Sequence, residues 1–542
     1  MSHQFSFSRR SVILGGILAS GVAGFLGTAE TAAQSQPITI SLEVLGTYET
    51  GAFDEGAAEI SAYDRSSRRI FVTNADANTV DVLDASDPEN LTLAFTIDLA
   101  SYGDGVNSVA VDGGVVAVAV EADPKTDNGS VVFFDTDGDY LNSLEVGALP
   151  DMLTFTPNGR YLLVANEGEP NDDYTVDPEG SISIIDMRGG VSRLDASDVT
   201  TADFSAFNSA TLDASIRLFG PDATVAQDLE PEYIAVSHDS KYAWVTLQEN
   251  NALAIVDIAK GEITSLVGLG FKDHSVEGSG LDASDRDDAI NIATWPVLGM
   301  YLPDAVASYH YRGETYLVTA NEGDPRDYDG FAEEERVKDL DLDPTAFPDA
   351  DDLQEDEAIG RLTVTTTLGD TDNDGDYDAL YAFGGRSFSI WNGSGELIFD
   401  SGDDLEQRVA AALPDDFNSN NDENGSFDSR SDNKGPEPEG ITLAEIGGRT
   451  YAFVGLERVS GVMVYDITAP ASPFFVQYLN NRDFSGDAEA GTAGDLAPEG
   501  LVFVPHSASP TGTPLLIVTN EVSGSTTVYE VDVENAAAAD VE

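Results

Sequence analysis

The chain has 542 residues, enough for several domains or one large repeat domain, and carries 98 Asp and Glu against 26 Lys and Arg, a formal net charge of -72. That charge repels nucleic acid and anionic membrane, while 41% hydrophobic and 9% aromatic residues exclude a disordered acidic chain and place the acid on the surface of a folded core. The lack of cysteine excludes disulfides, thiolate chemistry and Cys-based zinc sites.

Self-repulsion of this size is screened only in strong salt, where the Debye length falls to about 3 Å at 1 M, so the composition predicts a high-salt habitat. Arg clearly outnumbers Lys, and the few lysines are scattered.

At the N-terminus, Ser8-Arg9-Arg10-Ser11-Val12-Ile13-Leu14 is followed by a Gly- and Ala-rich apolar run and then Thr31-Ala32-Ala33. This predicts a twin-arginine export signal over 1–33, cleaved after Ala33, and hence an extracellular or cell-surface protein. No later segment is apolar enough to span a bilayer.

The segment 38–48 reads as the outer strand of a sheet whose other strands lie at the far end of the chain. One unit then recurs: an acidic residue, often after Pro, a short apolar strand, a polar turn, a second strand ending in Asn or Glu, and a third ending in Asp. Clear copies are Glu59-Ile60-Ser61-Ala62-Tyr63 with Ile70-Phe71-Val72-Thr73-Asn74, and Pro150-Asp151-Met152-Leu153 with Tyr161-Leu162-Leu163-Val164-Ala165-Asn166-Glu167. Others open at Asn107, Pro231-Glu232, Pro303-Asp304, Pro438-Glu439 and Pro498-Glu499. Such units predict an all-β fold, a single β-propeller of the YVTN/WD40 type over 38–532, closed by the N-terminal strand. The count favours seven blades; residues 361–400 either complete the fifth unit or add an eighth.

Acidic insertions at about 265–296, 325–359 and 415–436 are expected to cap one face, with helices at 333–340 and 405–413; residues 533–542 read as a disordered tail. Asp135-Thr136-Asp137-Gly138-Asp139 reads as a hairpin turn. Asp370-Thr371-Asp372-Asn373-Asp374-Gly375-Asp376-Tyr377-Asp378 places oxygens at alternate positions with glycine sixth, the spacing of a calcium loop. Asp370, Asp372, Asp374, Asp376 and Asp378 are its expected metal ligands.

In a propeller the first strand of each blade lines the axis, so Glu59, Asn107, Asp151, Glu232, Asp304, Glu439 and Glu499 should meet at one channel mouth. Converging carboxylates repel unless protonated or countered, and a divalent cation, calcium or a similar ion, is the natural remedy. The Asn and Glu residues that end the second strands read as turn chemistry, with the acid left in solvent.

Asp228-Leu229-Glu230-Pro231-Glu232-Tyr233, Tyr381-Ala382-Phe383-Gly384-Gly385-Arg386-Ser387-Phe388-Ser389-Ile390-Trp391 and Lys434-Gly435-Pro436-Glu437-Pro438-Glu439-Gly440 resemble the secreted choice-of-anchor I family. The resemblance implies a secreted propeller, and some members carry an alkaline phosphatase label. Two functions stand open: an extracellular binding module held by calcium, its ligand unknown, and a metal-dependent phosphoester hydrolase at the acidic mouth with Arg386 as anion clamp.

Overall fold

A computed structural model describes residues 38–535. The export signal lies outside the described residues, as does the tail beyond Asn535; the last strand, Ser525–Asn535, runs three residues into the segment read as tail.

Seven sheets have four strands each. The first is built from Ser61–Asp64, Arg69–Asn74, Thr79–Asp84 and Thr92–Asp98, paired antiparallel in chain order. The last joins the two ends of the chain, since Ile38–Glu49 lies at the outer edge beside Ser525–Asn535. The innermost strands touch in cyclic order, from Ser61–Asp64 through Gly105–Asp112, Pro150–Phe155, Pro231–Val236, Val306–Tyr311 and Pro438–Ile446 to Pro498–Val504, which touches Ser61–Asp64. This is a β-propeller.

Burial follows position in the blade. Second and third strands are sandwiched between neighbouring sheets, so they are continuously apolar rather than alternating: Val115–Glu121 reads Val-Val-Ala-Val-Ala-Val and Val462–Asp466 is buried throughout. The core is therefore a set of inter-blade layers, such as Val80 and Val82 against Val106, Val118 and Phe134. Fourth strands such as Thr92–Asp98 face solvent.

The 361–400 ambiguity resolves by pairing. Ser387–Asn392 and Leu397–Asp400 complete the blade begun by Val306–Tyr311 and Glu314–Asn321, whereas Tyr381–Ala382 leaves it. Tyr381–Ala382 joins Phe271–Asp273, Leu298–Met300, Glu334–Arg336 and Thr363–Thr365 in a five-stranded sheet built entirely of inserted chain. That sheet has its own core of Leu281, Val297, Val337, Phe347, Leu362 and Val364. The helix expected at 333–340 is instead the strand Glu334–Arg336 and one 3-10 turn, Val337–Asp339, because Arg336 pairs with Thr363 across the inserted sheet. The second expected helix forms, at Asp404–Ala412. Asp135 closes the hairpin turn expected there, its Oδ1 accepting from the amides of Asp137 and Asp139.

Arg386 is not available to an anion. It is buried, its Nη1 donates to Asp282 O (2.7 Å) and Glu406 Oε1 (2.9 Å), and its Nη2 donates to Ser431 O (2.8 Å) and Asn433 O (2.7 Å). The guanidinium thus staples the first insertion, the helix Asp404–Ala412 and the third insertion. Two more buried arginines hold the cap to the propeller: Arg217 pairs with Glu333, and Arg326 spans Asp228 and Glu230.

Arg386→Ala leaves the buried Glu406 carboxylate unpaired and should cost about 3–5 kcal/mol, read as a lower urea midpoint. Phosphate should not restore the loss, and Arg386→Lys should recover little of it, since one ammonium cannot reach four acceptors set for a planar fork. A fully stable Arg386→Ala protein would remove the staple assignment.

Candidate functional site

The first-strand acids do converge. Glu59, Asn107, Asp151, Glu232, Asp304, Glu439 and Glu499 all line one axial cavity of about 420 Å³. The apolar side chains that follow several of them, Ile60, Met152, Tyr233, Ile441 and Leu501, line it as well.

A backbone irregularity does the aiming. The pairing register shifts between Pro150 and Leu153, Pro231 and Ile234, Pro438 and Ile441, and Pro498 and Leu501, so Asp151, Glu232, Glu439 and Glu499 each sit in a β-bulge. Asn107 occupies the equivalent shift between Val106 and Ser108. A bulge bends its strand and re-aims the extra residue, and proline opens the strand without a missing ladder donor. The repeated Pro-acid pair is the sequence trace of this device.

The residues ending the second strands are not solvated turns. Asn166 Nδ2 donates to Ser181 Oγ and Ser183 Oγ, Asn321 Nδ2 to Ser387 Oγ and Ser389 Oγ, and Asn520 Nδ2 to Ser525 Oγ, all buried. These amides clamp the second strand to the third. Glu322, after Asn321, lines the cavity beside such an amide, and Glu457, after Leu456, lines it without one.

Charge is distributed unevenly. Glu322 accepts from Gln248 Nε2 and Lys434 Nζ, each at 2.8 Å. Glu457 pairs with Arg458 (3.0 Å) and accepts from Asn421 Nδ2 (2.8 Å). Behind them Glu437 meets Arg430, Arg458 and Lys434, which hold its carboxyl below the ordinary range against the burial that would raise it. Among the described residues, by contrast, none of the six cavity carboxylates Glu59, Asp151, Glu232, Asp304, Glu439 and Glu499 forms a hydrogen bond or an ion pair, and Glu439 Oε2 and Glu499 Oε2 are buried with no partner.

Desolvation, and then mutual repulsion, drives these acids toward the protonated form. Burial, with Glu521 and Asp151 nearby, pushes Glu59 up to about 8; burial, with Glu169 and Glu121, pushes Asp151 up to about 7. Glu232, Asp304, Glu439 and Glu499 are raised well above the carboxylate range by the same two causes.

The Asp-rich loop divides. Oxygens of Asp370, Asp372 and Asp374 lie within 4.8 Å of one another, but Asp376 and Asp378 group with Asp343 instead. The expectation of five ligands around one point is therefore corrected to two groups of three. Asp378 also accepts from Thr371 N at 2.9 Å. Asp343 was invisible to a spacing argument because it comes from the preceding insertion.

In chelator, the native cavity holds protons that the unfolded chain releases: an unfolded Glu ionises near 4.5 and an unfolded Asp near 3.8, whereas Glu59 and Asp151 wait until about 8 and about 7. A raised folded value means stability present below the ordinary values and lost as pH rises through the folded ones. The melting temperature of chelated protein at fixed ionic strength should fall as pH is raised from about 5 to about 8. A flat or rising profile would contradict a desolvated ring.

A model of the choice-of-anchor I domain matches residues 59–470. Gigasin-3a of Magallana gigas is 33% identical over 190 residues, covering 33% of this chain and 66% of that protein. The mesenchyme-specific cell surface glycoprotein of Strongylocentrotus purpuratus is 28% identical over 283 residues, 45% of this chain and 35% of that protein, so the chain spans less than two thirds of either relative. Among solved structures, Kuenenia stuttgartiensis hydrazine synthase aligns over 90% of this chain and 99% of its own with TM-score 0.44 and 13% identity. The β-propeller domain of Myceliophteria thermophila Cps50 (Swd1) aligns over 92% and 100% with TM-score 0.42 and 10% identity. The family model covers most of the propeller, from the first cavity acid through the sixth blade's third strand, and the chain belongs to the choice-of-anchor I domain family.

Proposed function

We propose that this protein is an extracellular binding module whose axial cavity takes up a divalent cation and uses it to hold an oxygen-bearing ligand. One observation carries this reading: six carboxylates line one cavity without a single hydrogen bond or ion pair among the described residues. Left alone they must stay protonated or repel, whereas a cation satisfies them together. The donors are all oxygen, which suits a hard ion; calcium, which takes 6–8 oxygen ligands in flexible geometry, fits better than the strict octahedron of magnesium. Coordination positions left open toward the cavity would receive carboxylate, phosphate or hydroxyl oxygens of the ligand.

The extracellular setting is supported by the twin-arginine signature and by the cell-surface glycoprotein among the relatives. A high-salt milieu is supported by the net charge of -72, which strong salt would screen. Hydrolysis of a phosphoester would draw on the same ion, but its assigned clamp, Arg386, is committed to Asp282, Glu406, Ser431 and Asn433. Binding is therefore the reading the geometry favours.

Calcium at about 100 times its dissociation constant should stabilise the protein by about 2.7 kcal/mol in molar salt. Glu439→Gln/Glu499→Gln should melt higher than the parent in chelator at pH 8, because the amides remove the cost of burying groups that the unfolded chain ionises freely, yet gain little from calcium. Ions held at the Asp370 loop would be retained by that variant, so the difference isolates the cavity. Equal calcium binding by parent and double variant would overturn the proposal.

A further inference from the structure

Lys434 is the one lysine lining the cavity, and its surroundings resemble a metal site more than a surface salt bridge. Its side chain is 8% exposed, and Nζ lies 2.8 Å from Glu322 Oε1, 3.3 Å from Glu437 Oε2 and 3.5 Å from Asp324 Oδ1. Oxygens of Glu322, Glu437 and Glu457 lie within 4.8 Å of one another, close enough to share one divalent ion. The ammonium, a compact point charge without the planar fork of a guanidinium, stands where such an ion would sit.

The lysine is placed there firmly. The preceding carbonyl, Asn433 O, is held by Arg386 Nη2, and the following Gly435 has φ +70° with Arg386 and Glu406 atoms 3.1 Å from where a Cβ would lie. Lys434 and Asp324 also line a second cavity of about 390 Å³, alongside Glu169, Glu249 and Arg430. The position is thus bordered by open space on two sides, and its occupancy by protein is a property of residue 434 and not of access.

We propose that Lys434 is a tethered counter-ion occupying a second cation site of the axial cavity, formed by Glu322, Glu437 and Glu457, and that it confines metal to the unpaired ring acids. The proposal rests on reading the cavity as a cation site, and it names the residue that sets how many ions the cavity takes. Arg458 remains with Glu457 and Glu437 in either state, so the exchange concerns one ammonium against one metal ion.

The test is calcium titration by calorimetry, with terbium luminescence sensitised by the cavity residue Tyr233 as an independent readout. Lys434→Ala should bind one more ion per chain than the parent; Lys434→Arg, which keeps the charge, should bind no more than the parent. Lys434→Ala should also melt well below the parent in chelator and recover with calcium. If it folds only with calcium, refolding on calcium addition reports the same exchange. An unchanged ion count, or a stability loss that calcium does not repair while Lys434→Arg stays folded, would reduce Lys434 to an ordinary ion-pair partner. If the parent binds no ion in the cavity but Lys434→Ala gains one, the ring reading fails and the tethered site stands. If the parent binds one and Lys434→Ala still binds one, the ring stands and the tether falls.

Discussion

Repulsion among like charges on the axis is the constraint around which the rest of this molecule is arranged. A propeller repeats one backbone position around a closed ring, so an acid chosen at that position is multiplied and delivered to a single point. Here six of the seven opening residues are carboxylates and one is Asn107. In water such a ring would cost little. In a desolvated cavity each acid raises the others, and the cost rises as the local dielectric falls.

The architecture commits to that cost rather than avoiding it. The bulges after Pro150, Pro231, Pro438 and Pro498 give up regular pairing where the acid that follows each proline lines the cavity. The buried amides of Asn166, Asn321 and Asn520 tie the ends of the neighbouring second strands to the third strands. Elsewhere in the same molecule buried acids are matched: Glu333 by Arg217, Glu230 by Arg326, Glu406 by Arg386. Matching is not universal outside the ring, since Asp428 Oδ2 is buried with no partner, but in the ring six unmatched carboxylates share one cavity.

The repeat and the ring were legible in the sequence because both are periodic: Pro followed by an acid recurs at the start of a short apolar strand, and a propeller maps that recurrence onto an axis. What was not legible is aperiodic. Arg386 sits in a distinctive motif and was read as an anion clamp, but its partners Asp282 and Asn433 come from insertions whose folding no period predicts. Residues 333–340 carry helix-forming Glu, Arg, Lys and Leu, yet tertiary pairing of Arg336 with Thr363 overrides that propensity. Asp343 joins the acidic loop from another insertion for the same reason. Second-strand asparagines looked like turn formers because their partners, serines on the third strand, lie 5 to 68 residues away in sequence.

The insertions also break the symmetry of the ring. Lys434 comes from the third insertion, and Arg458 from the turn after the sixth blade's second strand, so both fixed cations stand on the side of the fifth and sixth blades. Glu322, Glu437 and Glu457 are neutralised there, while the six ring acids, Asp304 and Glu439 of those same two blades included, face the cavity without a fixed partner. A sevenfold pattern alone would offer a mobile cation equivalent positions; the fixed cations make the positions unequal, because they answer the second-strand acids Glu322 and Glu457 and leave the first-strand acids unpaired. The charge that the protein leaves unanswered in this cavity is therefore that of the first-strand ring, and it lies beside acids that Lys434 and Arg458 already satisfy.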